Sequence, residues 1–205
     1  MIGSEQLWKR GISVATVVAL TGLAIGGLVG CADDDEEAPR SVVSIVSVND
    51  NLPLAADVYN LGSDKQFGGG DDYVPEDYLK VVVTSRPHDP ALTLNPNRAF
   101  GTVRFTRYSL DFATNDFNNN GTIELTDFTD YPMNLVVPIN QEGTSFVLAV
   151  PGSWKTENDL APLFAGGSYF TTATLTLYGE EETSHEAVEL TTGVVIGISN
   201  YADEN

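Results

Sequence analysis

The residues best suited to chemistry lie in one short run, DFNNNGTIELTDF, from Asp116 to Phe128. Oxygen-bearing side chains recur there at alternate places, Asp116, Asn118 and Asn120, followed by Thr122, Glu124 and Asp127. A hard divalent cation such as calcium takes about six to eight oxygen ligands, and alternate residues of a tight loop point theirs inward. Thr122 would offer its backbone carbonyl, Gly121 permits the sharp turn that a Cβ obstructs, and apolar Ile123 would tie the loop to a core. Other chemistry finds little support. His88 and His185 are not in a metal-ligand spacing, and no G-x-S-x-G elbow is present. Gly68-Gly69-Gly70 runs into Asp71-Asp72, which would repel a phosphate. Trp154 with Tyr169 or Tyr178 could stack on a sugar, although aromatic residues at such positions are more often core.

Counted from Asp116, the run resembles the calcium loop of EF-hands and the dockerin version of it, in which Asp commonly holds the twelfth place. The resemblance implies that Asp116, Asn118, Asn120, Thr122, Glu124 and Asp127 are ligands. Asp127 in place of Glu, with two neutral Asn ligands, implies weak affinity, in the extracellular range of about 10⁻⁴ to 10⁻³ M. A second reading stands beside it. Asn120-Gly121 is also a strong hairpin signal, and Tyr108–Ala113 before the loop alternates like a strand. Glu124–Tyr131 after it could form one helical turn before Pro132, and no second loop exists to pair with. A complete EF-hand is therefore not expected. A calcium loop between strands and an acidic hairpin turn both remain.

The chain has one cysteine, Cys31, so it forms no intramolecular disulfide. Lys9 and Arg10 precede an apolar, small-residue stretch, GISVATVVALTGLAIGGLVG, that ends at this Cys. A basic flank, an apolar middle and small residues before a cut are the parts of a secretory signal. Leu28-Val29-Gly30-Cys31 resembles the lipobox of bacterial lipoproteins. That resemblance implies a diacylglycerol on the Cys31 thiol, cleavage after Gly30 and anchoring in the bilayer, since each buried methylene contributes about 0.8 kcal/mol. Residues 1–30 are then a removed signal peptide, residues 31–40 the lipidated Cys and an acidic tether, and residues 41–205 the folded domain. An uncleaved span over Gly11–Gly30 is the alternative, and the several glycines and the acidic run after Cys31 speak against it. Ala32 after the Cys favours, by resemblance to enterobacterial sorting, the outer membrane or cell surface over the inner membrane.

Ten basic against 29 acidic residues give a formal charge of −19 over 205 residues. Such a chain cannot neutralise phosphates, which argues against nucleic acid and for cations as a partner class. The acidic clusters at Asp33–Glu37, Asp71–Asp72 and Glu180–Glu182 read as solvated turns or tether.

The elements that must position these residues read as strands. Ser41–Val48, Ala55–Tyr59, Tyr78–Thr84, Thr102–Ala113, Leu135–Ile139, Ser145–Val150, Tyr169–Tyr178, Glu186–Leu190 and Val194–Ile198 are β-branched or alternating runs between Gly, Asn, Asp and Pro turns. The apolar face slips by one residue within Thr102–Ala113, which places a bulge near Thr106-Arg107. Asn140–Gly143 should close a hairpin, and Thr156–Phe164 should form a turn or two of helix, limited by Pro162. The expected fold is all-β: a single antiparallel, immunoglobulin-like β-sandwich with at most one short helix. The expected role is non-enzymatic, structural or adhesive, with an envelope protein or glycan as partner. The alternative is a carbohydrate- or protein-binding accessory module whose loop is only a turn.

Overall fold

The computed structural model describes residues 41–63, 68–89, 91, 101–113, 123, 125–157 and 160–201. Cys31 and its flanks, and Asp116, Asn118, Asn120, Thr122 and Glu124, lie outside the described residues. The fold is all-β, and the described residues form eight strands and one α-helix. The strands are β1 (Ser41–Val48), β2 (Leu54–Asp57), β3 (Asp77–Pro87), β4 (Val103–Phe112), β5 (Phe128–Val137), β6 (Glu142–Val150), β7 (Ser168–Glu181) and β8 (Ala187–Ser199), and the helix α1 is Gly152–Glu157. They form a three-stranded sheet, β1-β3-β6, and a five-stranded sheet, β2-β8-β7-β4-β5.

Alternation puts one face of each strand into a common core. Leu79, Val81 and Val83 of β3 and Val147 and Ala149 of β6 share it with Phe105, Leu110, Leu175, Leu177, Ile196 and Ile198 of the larger sheet. Each such Leu, Ile or Val contributes about 1.5–3 kcal/mol on burial. Among the described residues no helix is long and apolar enough to cross a membrane.

The bulge lies where the slip in the pattern placed it. Register breaks between Phe105 and Arg107 against both β5 and β7. Gly179 faces the break, and a Cβ there would lie 2.4 Å from the Arg104 carbonyl oxygen, so only glycine admits the approach. Pro132 falls within β5, tolerated because β5 is an edge strand. β5 starts at Phe128, so the end of Glu124–Tyr131 is strand and not a helical turn.

Four other expectations need correction. Asn140–Gly143 turns the chain, with the Gln141 amide donating to the Pro138 carbonyl at 3.1 Å, but it carries the chain from one sheet to the other and closes no hairpin. Asn140 donates to the Ser85 carbonyl and Ser85 to that of Gln141, which docks the turn on the end of β3. Glu186–Leu190 and Val194–Ile198 are one strand, β8, paired without a break to β7 through Thr191–Gly193. The larger sheet is not wholly antiparallel, because β2 runs parallel to β8. The helical stretch splits into α1 and a 3₁₀ turn over Ala161–Ala165, with Pro162 in its first turn, where no amide donor is missed.

Candidate functional site

The loop expected to hold calcium is described at its roots. Ala113, past the end of β4, donates its amide to the Thr172 carbonyl at 2.8 Å and accepts the Thr171 hydroxyl at 2.9 Å. On the far side Ile123 is half-buried against the core, and its carbonyl accepts the Tyr169 hydroxyl at 3.1 Å. Leu125 packs beside it. Both ends of the loop are thus tied to the start of β7. Asp127, the one expected ligand among the described residues, is exposed, and its Oδ1 accepts the Phe112 amide at 2.7 Å. Its carboxylate therefore joins the β4 and β5 sides of the loop. A carboxylate so placed keeps lone pairs free to accept a further ligand.

Beneath these roots lies an aromatic cluster. Trp154 of α1 sits 5.3 Å from the Phe128 ring and 5.8 Å from that of Phe112. Tyr131 meets Phe128 edge-on at 5.2 Å. Trp154 therefore pairs with neither Tyr169 nor Tyr178 as a sugar platform. Tyr169 is buried, and Tyr178 lies under the Arg107 guanidinium at 4.7 Å.

The next residue, Lys155, belongs to no motif in the sequence. Its side chain is fully buried. The ammonium donates to the Asp57 and Pro75 carbonyls, each at 2.6 Å, and to Asp77 Oδ2. Three donors meet three acceptors, which is what burying an ammonium demands. Burial pushes the Asp77 carboxyl above its ordinary range, against the pull of Lys155. The available signal was a Lys directly after Trp154, before a Pro-limited helical stretch, in a chain with few basic residues.

Several other polar groups are engaged in the scaffold. Asp71 Oδ2 accepts the amide and hydroxyl of Ser63, at 2.6 and 2.5 Å. Asp72 Oδ2 accepts the Tyr59 hydroxyl at 2.6 Å and the Gly68 amide at 2.7 Å, so this acidic pair organises its loop. A depression of about 660 Å³ holds Arg107, Tyr178, His185 and Glu189, where Arg107 is ion-paired to Asp130. His88 and His185 are exposed, and among the described residues no group of three His, Cys, Asp or Glu side chains could hold a metal. A scan against protein-family models finds no match, and a comparison with curated proteins finds none.

Proposed function

We propose that the chain is a membrane-anchored lipoprotein, lipidated at Cys31, which displays a non-enzymatic β-sandwich at the cell envelope for a structural or adhesive role. The observation that carries this reading is the use of polar groups. Lys155, Asp77, Arg107 and Asp72 are hydrogen-bonded or ion-paired into the scaffold. The finer fold is immunoglobulin-like. In support, β1, β3 and β6 follow the order of strands A, B and E, while β8, β7, β4 and β5 follow G, F, C and C′.

Calcium would be held by Asp116, Asn118, Asn120, Thr122, Glu124 and Asp127, stiffening the β4–β5 connection. What supports this is the tethering of Ala113, Ile123 and Asp127 at the loop's roots. Thermal unfolding with calcium titrated tests it. A site with a Kd of about 1 mM stabilises the fold by about 1.4 kcal/mol at 10 mM calcium. The rise should vanish in the Asp116→Ala/Asp127→Ala variant, and equal responses in parent and variant would reduce the loop to a turn.

One observation favours the second reading, a carbohydrate- or protein-binding module. Phe146 pairs with Lys80 across β3 and β6, and Tyr78, two residues from Lys80, shares that face. Both rings are exposed, by 65% and 46%, where a sugar face or an apolar side chain could stack. Loss of retention in polysaccharide-containing native gels on Tyr78→Ala/Phe146→Ala would favour that reading.

A further inference from the structure

The five-stranded sheet ends in two unlike edges. β5 is blunted: Pro132 lacks a donor, and register against β4 breaks twice. The other edge is β8, which β2 covers only from Ile196 to Ser199. Along Ala187–Val195 no described strand pairs on that side, and the segment AVELTTGVV has no Pro, no Lys and no break in its pairing to β7. The Ser199 carbonyl accepts the Val58 amide, at 3.0 Å. Alternation along a strand therefore turns the N–H and C=O of Thr191, Gly193 and Val195 toward the same side.

The local backbone explains why the edge is uncovered. Asn49, Asp50 and Asn51 all have positive φ, 48°, 55° and 62°, a left-handed turn that takes the chain from β1 in one sheet to β2 in the other. β2 reaches β8 only at Leu54. A groove of about 670 Å³ is left between Leu190–Val195 and β1, closed at one end by Asn51–Pro53. Its rim exposes Val46, Leu52 and Val195, by 45%, 65% and 43%. The six residues of that edge that line the groove, Leu190–Val195, run about 20 Å, the length of an ordinary strand.

We infer that this groove takes an extended segment of a partner polypeptide, added to β8 as a further strand. Main-chain bonds to Thr191, Gly193 and Val195 would hold it, and every second side chain would enter the apolar groove. Charge selects the partner. The groove lining carries no charged residue, but Glu189 precedes it on β8 and the whole chain carries −19, so a basic segment is drawn to this edge and a second copy of this chain is disfavoured. The inference goes beyond anchoring and calcium and depends on neither, so an inert β4–β5 loop leaves it standing.

The test is selection of random twelve-residue phage-displayed peptides on the full chain in mild detergent, followed by titration of the best synthetic binder. Peptides that alternate apolar residues with Lys or Arg should be enriched, and they should slow amide exchange at Thr191, Gly193 and Val195. Gly193→Pro removes an edge donor where no atom lies within 4 Å of an added Cβ. Val46→Lys places a like charge on the exposed rim. Each should weaken binding at least tenfold with the melting temperature unchanged, and Val46→Lys decides the matter if the proline variant unfolds. No enrichment, acidic or unpatterned binders, unchanged affinity in Val46→Lys, or dimerisation of the chain through this edge would overturn the inference.

Discussion

Trp154 and Lys155 are neighbours on one six-residue helix, yet they serve regions built on opposite plans. Lys155 reaches the Asp57–Asp77 side, where a buried ammonium meets two carbonyls and a carboxylate. Trp154 faces the roots of the Asp116–Asp127 loop, where exposed Asp127 supplies the link between Phe112 and β5. The buried region is complete by itself, because a desolvated charge is tolerated only when all its donors are matched. At the root of the loop the Asp127 carboxylate is exposed, which is the condition for exchanging water for a ligand. One region holds the fold and the other has room to respond.

Removing the pin should have the largest effect. Lys155→Ala leaves the buried Asp77 carboxyl without its counter-charge, which costs about 3–5 kcal/mol in urea unfolding. Replacing both partners, Lys155→Met with Asp77→Leu, should recover most of that loss, since an apolar pair of similar size often substitutes for a buried ion pair. The pH dependence sharpens the point. The Asp77 carboxyl is raised in the folded state, so its contribution is fully present below the ordinary carboxylate range and is lost as pH rises through the raised value. Without the opposing ammonium that fall should be steeper in Lys155→Ala, measured as melting temperature from pH 3 to 8. An equal slope in parent and variant would show that the two groups are not coupled.

On the loop side Trp154→Ala should cost roughly 2 kcal/mol, less than for a fully buried Trp because this ring is half-exposed. The only other Trp is Trp8, before Cys31, so emission from residues 41–205 reports Trp154 alone. Calcium should shift that emission, and magnesium, which tolerates such loops less well, should shift it less. A signal indifferent to both ions would mean that the loop and its aromatic base are not linked.

Tyr108 provides a dry bond on the same side for comparison. It is buried, its ring meets Tyr131 at 5.6 Å, and its hydroxyl donates to the Leu148 carbonyl of β6 at 2.9 Å, joining the two sheets. Burial pushes this phenol up. Its contribution is therefore complete below about pH 10, the ordinary phenol value, and is lost as pH rises through the folded value. Tyr108→Phe should cost about 1 kcal/mol at neutral pH, one hydrogen bond, and should flatten the alkaline fall in melting temperature. An unchanged alkaline limb would assign that fall to other groups.

The strands and the bulge were legible in the sequence, and the misses share a cause. The slip in TVRFTRYSLDFA located the bulge because side chains that must face the core cannot change sides without one. The hairpin at Asn140–Gly143 failed because turn residues specify a reversal and not a partner. Leu135 and Val137 are buried on β5, and the chain leaves for the other sheet past Gly143, where an added Cβ would lie 2.8 Å from the Val136 carbonyl oxygen. β8 was split at Thr191–Gly193 because a polar pair and a glycine resemble a turn when the neighbouring strand is unseen. Lys155 gave only a faint signal, for a related reason. Two of its three acceptors are carbonyls, 98 and 80 residues away, and carbonyls carry no sequence signature.

The smallest expected change is the one that best separates the two regions. Asp127→Ala removes the acceptor of the Phe112 amide at an exposed place, and should cost no more than about 1 kcal/mol without calcium. Asp127→Asn keeps an oxygen for that amide and removes only the charge, so without calcium its stability should stay within about 0.5 kcal/mol of the parent. With calcium the two variants should converge, because a neutral side chain at the twelfth place gives up the carboxylate ligand whatever it does for Phe112. If Asp127→Asn keeps the full calcium response while Asp127→Ala loses it, the hydrogen bond matters and the charge does not. Asp127 would then shape the turn in the way Lys155 shapes its own region, and the distinction between a region that holds and one that responds would have to be drawn at Glu124 or earlier in the loop.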